Sequence, residues 1–343
     1  MNKPRNSSSQ LHEIDRETWN QFWPRVNFAN MLQSWEYGDA KAAAEGWHPL
    51  RFLIKDESGT PMALAQVLAR AWPLIGGIAR INRGPLLIDT ELDDPRRSEA
   101  TQMALDVVLK EARLRRWWLS FVAPELEADD SVAERLVKFG LRRRKQIPWA
   151  SARLSLLPNE ETLLANLNGK WRNMLRKAQK SGLIVQHNEA CAEELEALLM
   201  YYRAMQRDKG FSGVPEKLLR QLAKQTGPTW RFDLYVANCT ESSSTDWAGL
   251  LVSVRHGDTV TYLIGFTNNV GRQLNANYLL IWHAILASKK LGCCWFDLGG
   301  MNQNTPKSIM HFKQGLCAIP YSANGEFIYR RSILKCQSNE FYN

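Results

Sequence analysis

Two hydrophobic patterns alternate along the chain. "ETWNQFWPRVNFANMLQSWEYGDAKAAAEGW" reads as two helical stretches, the second from about Ser34 to Glu45. "HPLRFLIKDESG", "TPMALAQVLARAWPL" and "GGIARINRGPLLID" are β-like runs interrupted by Gly and Pro. A helix follows over about 94–116, with Ala104, Val107, Val108 and Ala112 near helical spacing. "WWLSFVAPEL" predicts the next strand, and "DSVAERLVKFG" a short helix stopped by Gly140.

Beyond "RRRKQIPWASARLSL" the plan repeats. A helix over 161–181 and another through "EELEALLMYYRAMQRDKG" precede strands at "RFDLYVANC", "DWAGLLVSVRHG" and "TVTYLIGFT". The helix "NANYLLIWHAILASKKLG" and the strand "CCWFDLGG" close the second half. Helices, a meander of strands, then a helix and a parallel strand occur twice, which predicts a duplicated α/β unit. "TESSSTD" reads as a hairpin loop, and apart from it and the polar N-terminal tail no segment has low complexity.

Length agrees with duplication: 343 residues exceed one ordinary core and suggest two domains of roughly 150 residues. Apolar residues make up 45% of the chain and aromatics 10%, ample for packed cores. The longest uncharged apolar runs fall short of the ~18 to 20 residues of a bilayer span, and "MNKPRNSSSQ" has no apolar region behind its charges. Neither a span nor a signal peptide is expected, and the chain reads as cytoplasmic. Its six cysteines (Cys191, Cys239, Cys293, Cys294, Cys317, Cys336) form no CxxC pair and read as reduced thiols. The histidines show no HExxH or other ligand spacing, so no metal is assigned, and no Ser-His-Asp nucleophile motif is present.

Charge distribution adds the first functional signal. The net charge is +9, yet between Arg135 and Leu183 twelve Lys and Arg face only Glu160 and Glu161. Within that segment lies "NGKWRNMLRKAQKSG". At ~100° per residue, Trp171, Met174, Leu175 and Ala178 fall on one side of a helix, continuing a stripe from Leu163, Leu164 and Leu167. Lys170, Arg172, Arg176, Lys177 and Lys180 spread over the other side. No acid occurs between Thr162 and Asn188, so the helix accepts like-charge repulsion of a few tenths of a kcal/mol per i,i+4 pair. A phosphate-bearing partner explains this; a solvated surface stripe is the alternative.

Four motifs in order carry a family resemblance. "GKWRNMLRKAQKSGL" resembles the K-x-R-N-x-x-R-K-A-x-K-x-G segment of the Fem family of aminoacyl-tRNA-dependent peptidyltransferases, which build peptidoglycan interpeptide bridges. "LQSWEYGDAKAAAEGW" resembles that family's N-terminal Q-S-x-x-W/Y motif, and "RGPLL" its R-G-P strand. "YLLIWHAILASKKLGCCWFDLGG" followed by "IMHFKQGL" is similar to its closing helix, D-x-G-G strand and F-K-x-G-F signature, with Leu316 in place of the final Phe. The resemblance spans about residues 30 to 330 and implies an α/β (α+β) chain of two tandem GNAT-like N-acyltransferase domains. Residues 1–15 would be a flexible tail, 16–147 with about 320–343 the first domain, and 148–319 the second. The chain has no room for the coiled-coil arm of some members.

The chemistry implied is attack of an amine on the ester of an aminoacyl-tRNA, with a UDP- or lipid-linked muropeptide as acceptor and neither metal nor cofactor. Lys313 is the candidate for oxyanion stabilisation and Phe312 for stacking on the terminal adenosine. Lys41 matches the position assigned in the family to phosphate groups of the acceptor, Arg83 would line the same cleft, and Gln33, Trp35 and Tyr37 would shape or pack that end of the first domain. Asp297 is either a proton acceptor or a structural carboxylate, while Gly299 and Gly300 permit close backbone approach. The basic helix would hold tRNA phosphates. A lipid-linked acceptor would bring the chain to a membrane surface, and nothing demands more than a monomer.

Two rivals stand beside this reading. One is an acyl-CoA or other thioester-dependent N-acyltransferase of the same fold, in envelope polysaccharide or secondary-metabolite synthesis. Against it, "RQLNAN" places Asn275 where the usual pyrophosphate loop has glycine, crowding the backbone cradle. The other is an RNA-binding module without catalysis, which leaves "FDLGG" and "HFKQG" unexplained.

Overall fold

The computed structural model describes residues 9–189, 192–210, 213–239 and 247–330. The elements run β1 (Gln10–Glu13), α1 (Arg16–Phe22), α2 (Trp35–Glu45), β2 (His48–Lys55), β3 (Pro61–Trp72), β4 (Gly76–Asn82), β5 (Leu86–Leu87) and α3 (Arg97–Leu114). Next come β6 (Trp117–Ala123), α4 (Asp130–Lys138), β7 (Leu141–Arg143), β8 (Ala150–Ser155), α5 (Glu160–Asn166), α6 (Gly169–Gln179), β9 (Ile184–Glu189) and α7 (Ala192–Lys209). The remainder is α8 (Glu216–Ala223), β10 (Trp230–Asn238), β11 (Gly249–His256), β12 (Thr259–Thr267), α9 (Asn269–Gln273), α10 (Ala276–Lys290), β13 (Trp295–Asp297), α11 (Lys307–Gln314), β14 (Ile319–Ser322) and β15 (Phe327–Arg330).

Among these residues, 9–25, 46–148 and 323–330 form one compact unit, and 26–45 with the rest of 149–322 a second. The first unit's sheet has the order β1-β2-β3-β4-β6-β15-β7, with β5 on β3. Its core sets Leu50, Phe52 and Ile54 of β2 and alternate residues of β3 against Leu105, Val108 and Ala112 of α3. The second unit's sheet has the order β14-β8-β13-β12-β11-β10-β9. There α10 is buried on most of its circumference, which is why its sequence lacks a polar face. It packs with the apolar stripe of α5 and α6, including Leu163, Trp171, Leu175 and Ala178. Each sheet contains one parallel pair, β4–β6 in the first and β12–β13 in the second.

Several expectations are corrected. Residues 10–13 are not tail: Gln10 to Glu13 pair with β2 as an edge strand, and Asp15 caps α1 by accepting from Thr18 N at 2.9 Å. The helix expected over 161–181 is two helices, because Leu167 turns extended and Asn168 starts a new cap, accepting from Lys170 N at 2.9 Å. β9 and α8 were not anticipated, and "CCWFDLGG" is a strand only over Trp295–Asp297. Residues 26–45, assigned by sequence to the first domain, pack in the second unit. Asp258 anchors them there by accepting from Phe28 N and Ala29 N, both at 2.9 Å.

The C-terminal segment leaves β14 in the second unit and inserts β15 between β6 and β7 of the first. The "TESSSTD" loop, Cys191, Cys336 and the two chain ends lie outside the described residues. Among the described residues no helix is long and apolar enough to cross a membrane, and no cluster of His, Cys, Asp and Glu could hold a metal.

Candidate active site

The two parallel pairs differ in a way that locates the site. In the first unit, β4 and β6 pair from Gly77↔Trp117 to Asn82↔Ala123, with one shift in register between Gly77 and Ile78 and unbroken pairing beyond it. In the second, β12 and β13 pair only from Thr259↔Trp295 to Thr261↔Asp297, after which β12 continues to Thr267. That leaves an open strand edge, a template for the amides of an extended ligand. A bulge opposite Val252 and Ser253 interrupts β12 at the same level, between Tyr262 and Ile264. Bulges re-aim side chains next to active sites.

At this divergence the sequence places Asp297, Gly299 and Gly300. Asp297 is buried, and its Oδ1 accepts from Gly299 N at 2.7 Å. Ser151 Oγ lies 2.7 Å from both Asp297 Oδ1 and Gly299 O. Oδ2 accepts from the Tyr321 hydroxyl. The carboxylate thus ties together β8, β13, β14 and the Gly-Gly loop. Of the two roles read from sequence, this geometry supports the structural one. Gly299 has φ +69°, and a Cβ there would stand 2.5 Å from Tyr262 O, so the loop can lie against β12 only without a side chain.

Lys313 enters from α11. It is buried, and its Nζ donates to Gly300 O at 3.0 Å and sits 5.1 Å from the Tyr262 ring centroid. Burial pulls its pKa from 10.5 down to about 8, with the charge of Asp297 working against that fall. The same desolvation pushes Tyr262 up to about 12. Lys313 also lines a cavity of about 480 Å³ with Ser151, Met301, Met310 and Tyr321. A buried ammonium titrating near neutrality can stabilise an oxyanion and can also give up a proton.

Phe312 is half-buried and already engaged by two aromatic neighbours. It stacks on Trp171 with centroids 6.0 Å apart and meets Tyr278 edge-on at 5.0 Å. Trp171 Nε1 donates to Phe312 O at 3.0 Å, and Asn168 N donates to Gly315 O at 3.0 Å. Phe312 therefore packs the basic helix α6 onto α11. On α6, Lys170, Arg176, Lys177 and Lys180 are exposed, whereas Arg172 is half-buried and donates to the Ala165 carbonyl at the end of α5.

The two remaining expected residues are engaged elsewhere. Lys41, on α2, is half-buried and paired with Glu45 one turn on. Arg83, in the first unit, is buried at φ +53° and paired in a fork with Glu125, Nη2 to Oε1 at 2.7 Å. Ser151, Tyr262 and Tyr321 escaped the sequence reading. Only the sheet order brings their strands to Asp297, and no local motif marks them.

Known proteins share this fold. Residues 166–314 match the family model described as acetyltransferase (GNAT) domain. No curated protein matches the sequence. A crystal structure of FemX superposes with a TM-score of 0.74 at 16% identity, covering 94% of this chain and 97% of that one. A tandem GNAT protein from the clavulanic acid biosynthesis pathway gives 0.53 at 12% identity, covering 94% and 98%. L-PGS from Bacillus licheniformis gives 0.52 at 13% identity, covering 94% of each chain. At these identities the likeness is one of fold, and with the domain match it identifies the chain as a tandem protein of the GNAT N-acyltransferase fold.

Proposed function

We infer that the chain is an aminoacyltransferase that moves an amino acid from an aminoacyl-tRNA to an amine of a peptidoglycan precursor, a UDP- or lipid-linked muropeptide. The observation that carries this reading is Lys313, a buried ammonium fixed between the Gly300 carbonyl and the Tyr262 ring where β12 and β13 part. The acceptor amine attacks the ester carbonyl, forming the C–N bond and an oxyanion beside Lys313. As the C–O bond breaks, Lys313 gives its proton to the leaving ribose oxygen and recovers one from the new ammonium. A pKa near 8 suits both halves of that exchange at neutral pH. Holding amine and ester together supplies on the order of 7 to 11 kcal/mol of the barrier.

The exposed cations of α6 support a phosphate-rich donor. FemX shares the fold over nearly the whole chain, and the four motifs that resemble the Fem family support the peptidoglycan side. A monomer working in the cytoplasm satisfies these requirements, with Lys41 and Arg83 reaching an acceptor only by exchanging their present carboxylate partners.

One observation favours a thioester donor instead. Asn275 adopts φ +60°, the left-handed conformation a glycine would supply, so the start of α10 keeps the backbone shape expected of a pyrophosphate loop. Single-turnover transfer from radiolabelled aminoacyl-tRNAs to a UDP-linked muropeptide, with acyl-CoA donors in parallel, separates the two. Labelled muropeptide from tRNA is the expected result; transfer from the thioester alone would retain the fold and overturn the donor.

A further inference from the structure

One end of the first unit's sheet has an unusual surface. The β3–β4 hairpin turns through Trp72, Pro73, Leu74 and Ile75, with Leu74 99% and Ile75 73% exposed. Hairpin turns normally use Gly, Asn or Asp where φ is positive, yet Leu74 sits at φ +67°. The chain thus places a large aliphatic side chain in a strained backbone conformation and buries it against nothing of its own among the described residues.

Register puts two more turns at this end. β4 and β6 are parallel and both start here, so the α3–β6 turn lies beside the hairpin, with Leu114 77% exposed and Trp118 next to Gly76. β15 runs antiparallel to both β6 and β7, so β7 also starts here, and the α4–β7 turn adds exposed Val137 and Phe139. At about 4.8 Å per strand, hairpin and β7 are separated by about 15 Å. Among the described residues, seven of the fifteen exposed large hydrophobic side chains belong to these three turns. This is the amino end of the parallel strands, opposite the end where α/β sheets form ligand crevices.

Charge accompanies the apolar turns. Arg113, Arg116, Lys138 and Arg142 are exposed at the same turns. Of the nearby acids, Glu13 and Glu111 are both bonded to Arg115, and Glu134 stands one turn before Lys138 on α4. Positive charge is therefore in excess. The order along the hairpin is aliphatic tip, then tryptophan at its base, with arginine and lysine on the neighbouring turns. A bilayer presents hydrocarbon, interface and anionic headgroup in that sequence of depth. An RNA partner would use the aromatics and cations but leave the aliphatic tip without a role.

We propose that this end of the first unit docks on an anionic lipid bilayer, with Leu74 and Ile75 inserted at the acyl boundary and the surrounding Arg and Lys on the headgroups. The proposal stands independently of which acyl donor the site uses.

The test is co-sedimentation of the full chain with phosphatidylcholine vesicles containing half phosphatidylglycerol, against pure phosphatidylcholine. Binding to the mixed vesicles, weakened by salt, is expected. Leu74→Asn with Ile75→Gln, which tolerates the left-handed turn, should lower the partition coefficient more than tenfold while leaving the circular dichroism spectrum unchanged. Lys138→Glu with Arg142→Glu should abolish the preference for phosphatidylglycerol. Equal binding by the hairpin variant, or no binding by the wild type, overturns the proposal. So does a wild-type dimer that the hairpin variant dissociates in sedimentation velocity, which would assign the turn to a second copy. Loss of tRNA affinity in the hairpin variant would assign it to RNA.

Discussion

Replacing Lys313 by methionine should yield a protein that is more stable at neutral pH and inactive. A lysine pulled from its ordinary 10.5 down to about 8 by burial bears a charging cost of about 3 kcal/mol at pH 7. The sign follows from proton occupancy. Below pH 8 both folded and unfolded chains hold the proton and the cost is fully present. Between 8 and 10.5 the unfolded chain still holds the proton that the folded chain has lost, so wild-type stability rises with pH; above 10.5 the cost is gone. Lys313→Met removes the cost and also the hydrogen bond to Gly300 O, worth about 1 kcal/mol. A net gain of about 1 to 2 kcal/mol at pH 7 is expected, falling to zero or below by about pH 10.5. Urea unfolding of wild type and variant at both pH values measures the difference, and single-turnover transfer measures activity. A variant less stable than wild type at pH 7, or a pH-independent difference, would refute the assignment of a desolvated ammonium. Full activity would refute its part in the reaction.

Three further outcomes are expected. Gly299→Ala forces a Cβ against Tyr262 O at 2.5 Å in a left-handed conformation, and should destabilise the chain by about 2 to 3 kcal/mol in urea; unchanged stability would mean the loop can relax away from β12. Asp297→Asn disturbs the bonds from Ser151, Gly299 and Tyr321, so kcat should fall while the acidic limb of the pH–rate profile remains; loss of that limb would make Asp297 the proton acceptor after all. Arg176→Glu with Lys177→Glu and Lys180→Glu should weaken tRNA binding and reduce its log–log salt slope by roughly 2 to 3, a filter-binding measurement in which an unchanged slope would leave α6 a solvated surface.

The sequence was most informative where one element determines its own neighbours. The basic face of α6, the helix α10 and the Gly-Gly stop after Asp297 depend on local spacing, and each is present in the structure. Edge strands were harder: β1 is four residues of mixed polarity identified as a strand by its pairing with β2, and pairing across the chain leaves no local period. Side-chain partners were harder still. Nothing in "QSWEYGDAK" shows that Lys41 is held by Glu45, nor in "RGPLL" that Arg83 faces Glu125, 42 residues on. Tyr262 and Tyr321 join the site through sheet order alone, so no motif scan could have found them.

The two most distinctive motifs, "NGKWRN" and "HFKQG", are far apart in sequence and become intelligible as one joint. Trp171 interrupts the basic helix because its ring is the surface on which Phe312 stacks, and its Nε1–H is bonded to the Phe312 carbonyl. Gly315 ends α11 because a Cβ there would stand 2.4 Å from the Trp171 ring, and its carbonyl accepts from Asn168 at the start of α6. Two backbone carbonyls of the Lys313 helix are thus bonded to the first turn of the cationic helix. A joint carrying both the cationic face and the buried ammonium fixes the distance between them. An ester at the end of a phosphate backbone needs that relation, since phosphate contacts then set where the ester lies relative to Lys313. A thioester donor bound at the start of α10 would have no use for it. The joint is therefore a reason, independent of the charge count, to test tRNA first.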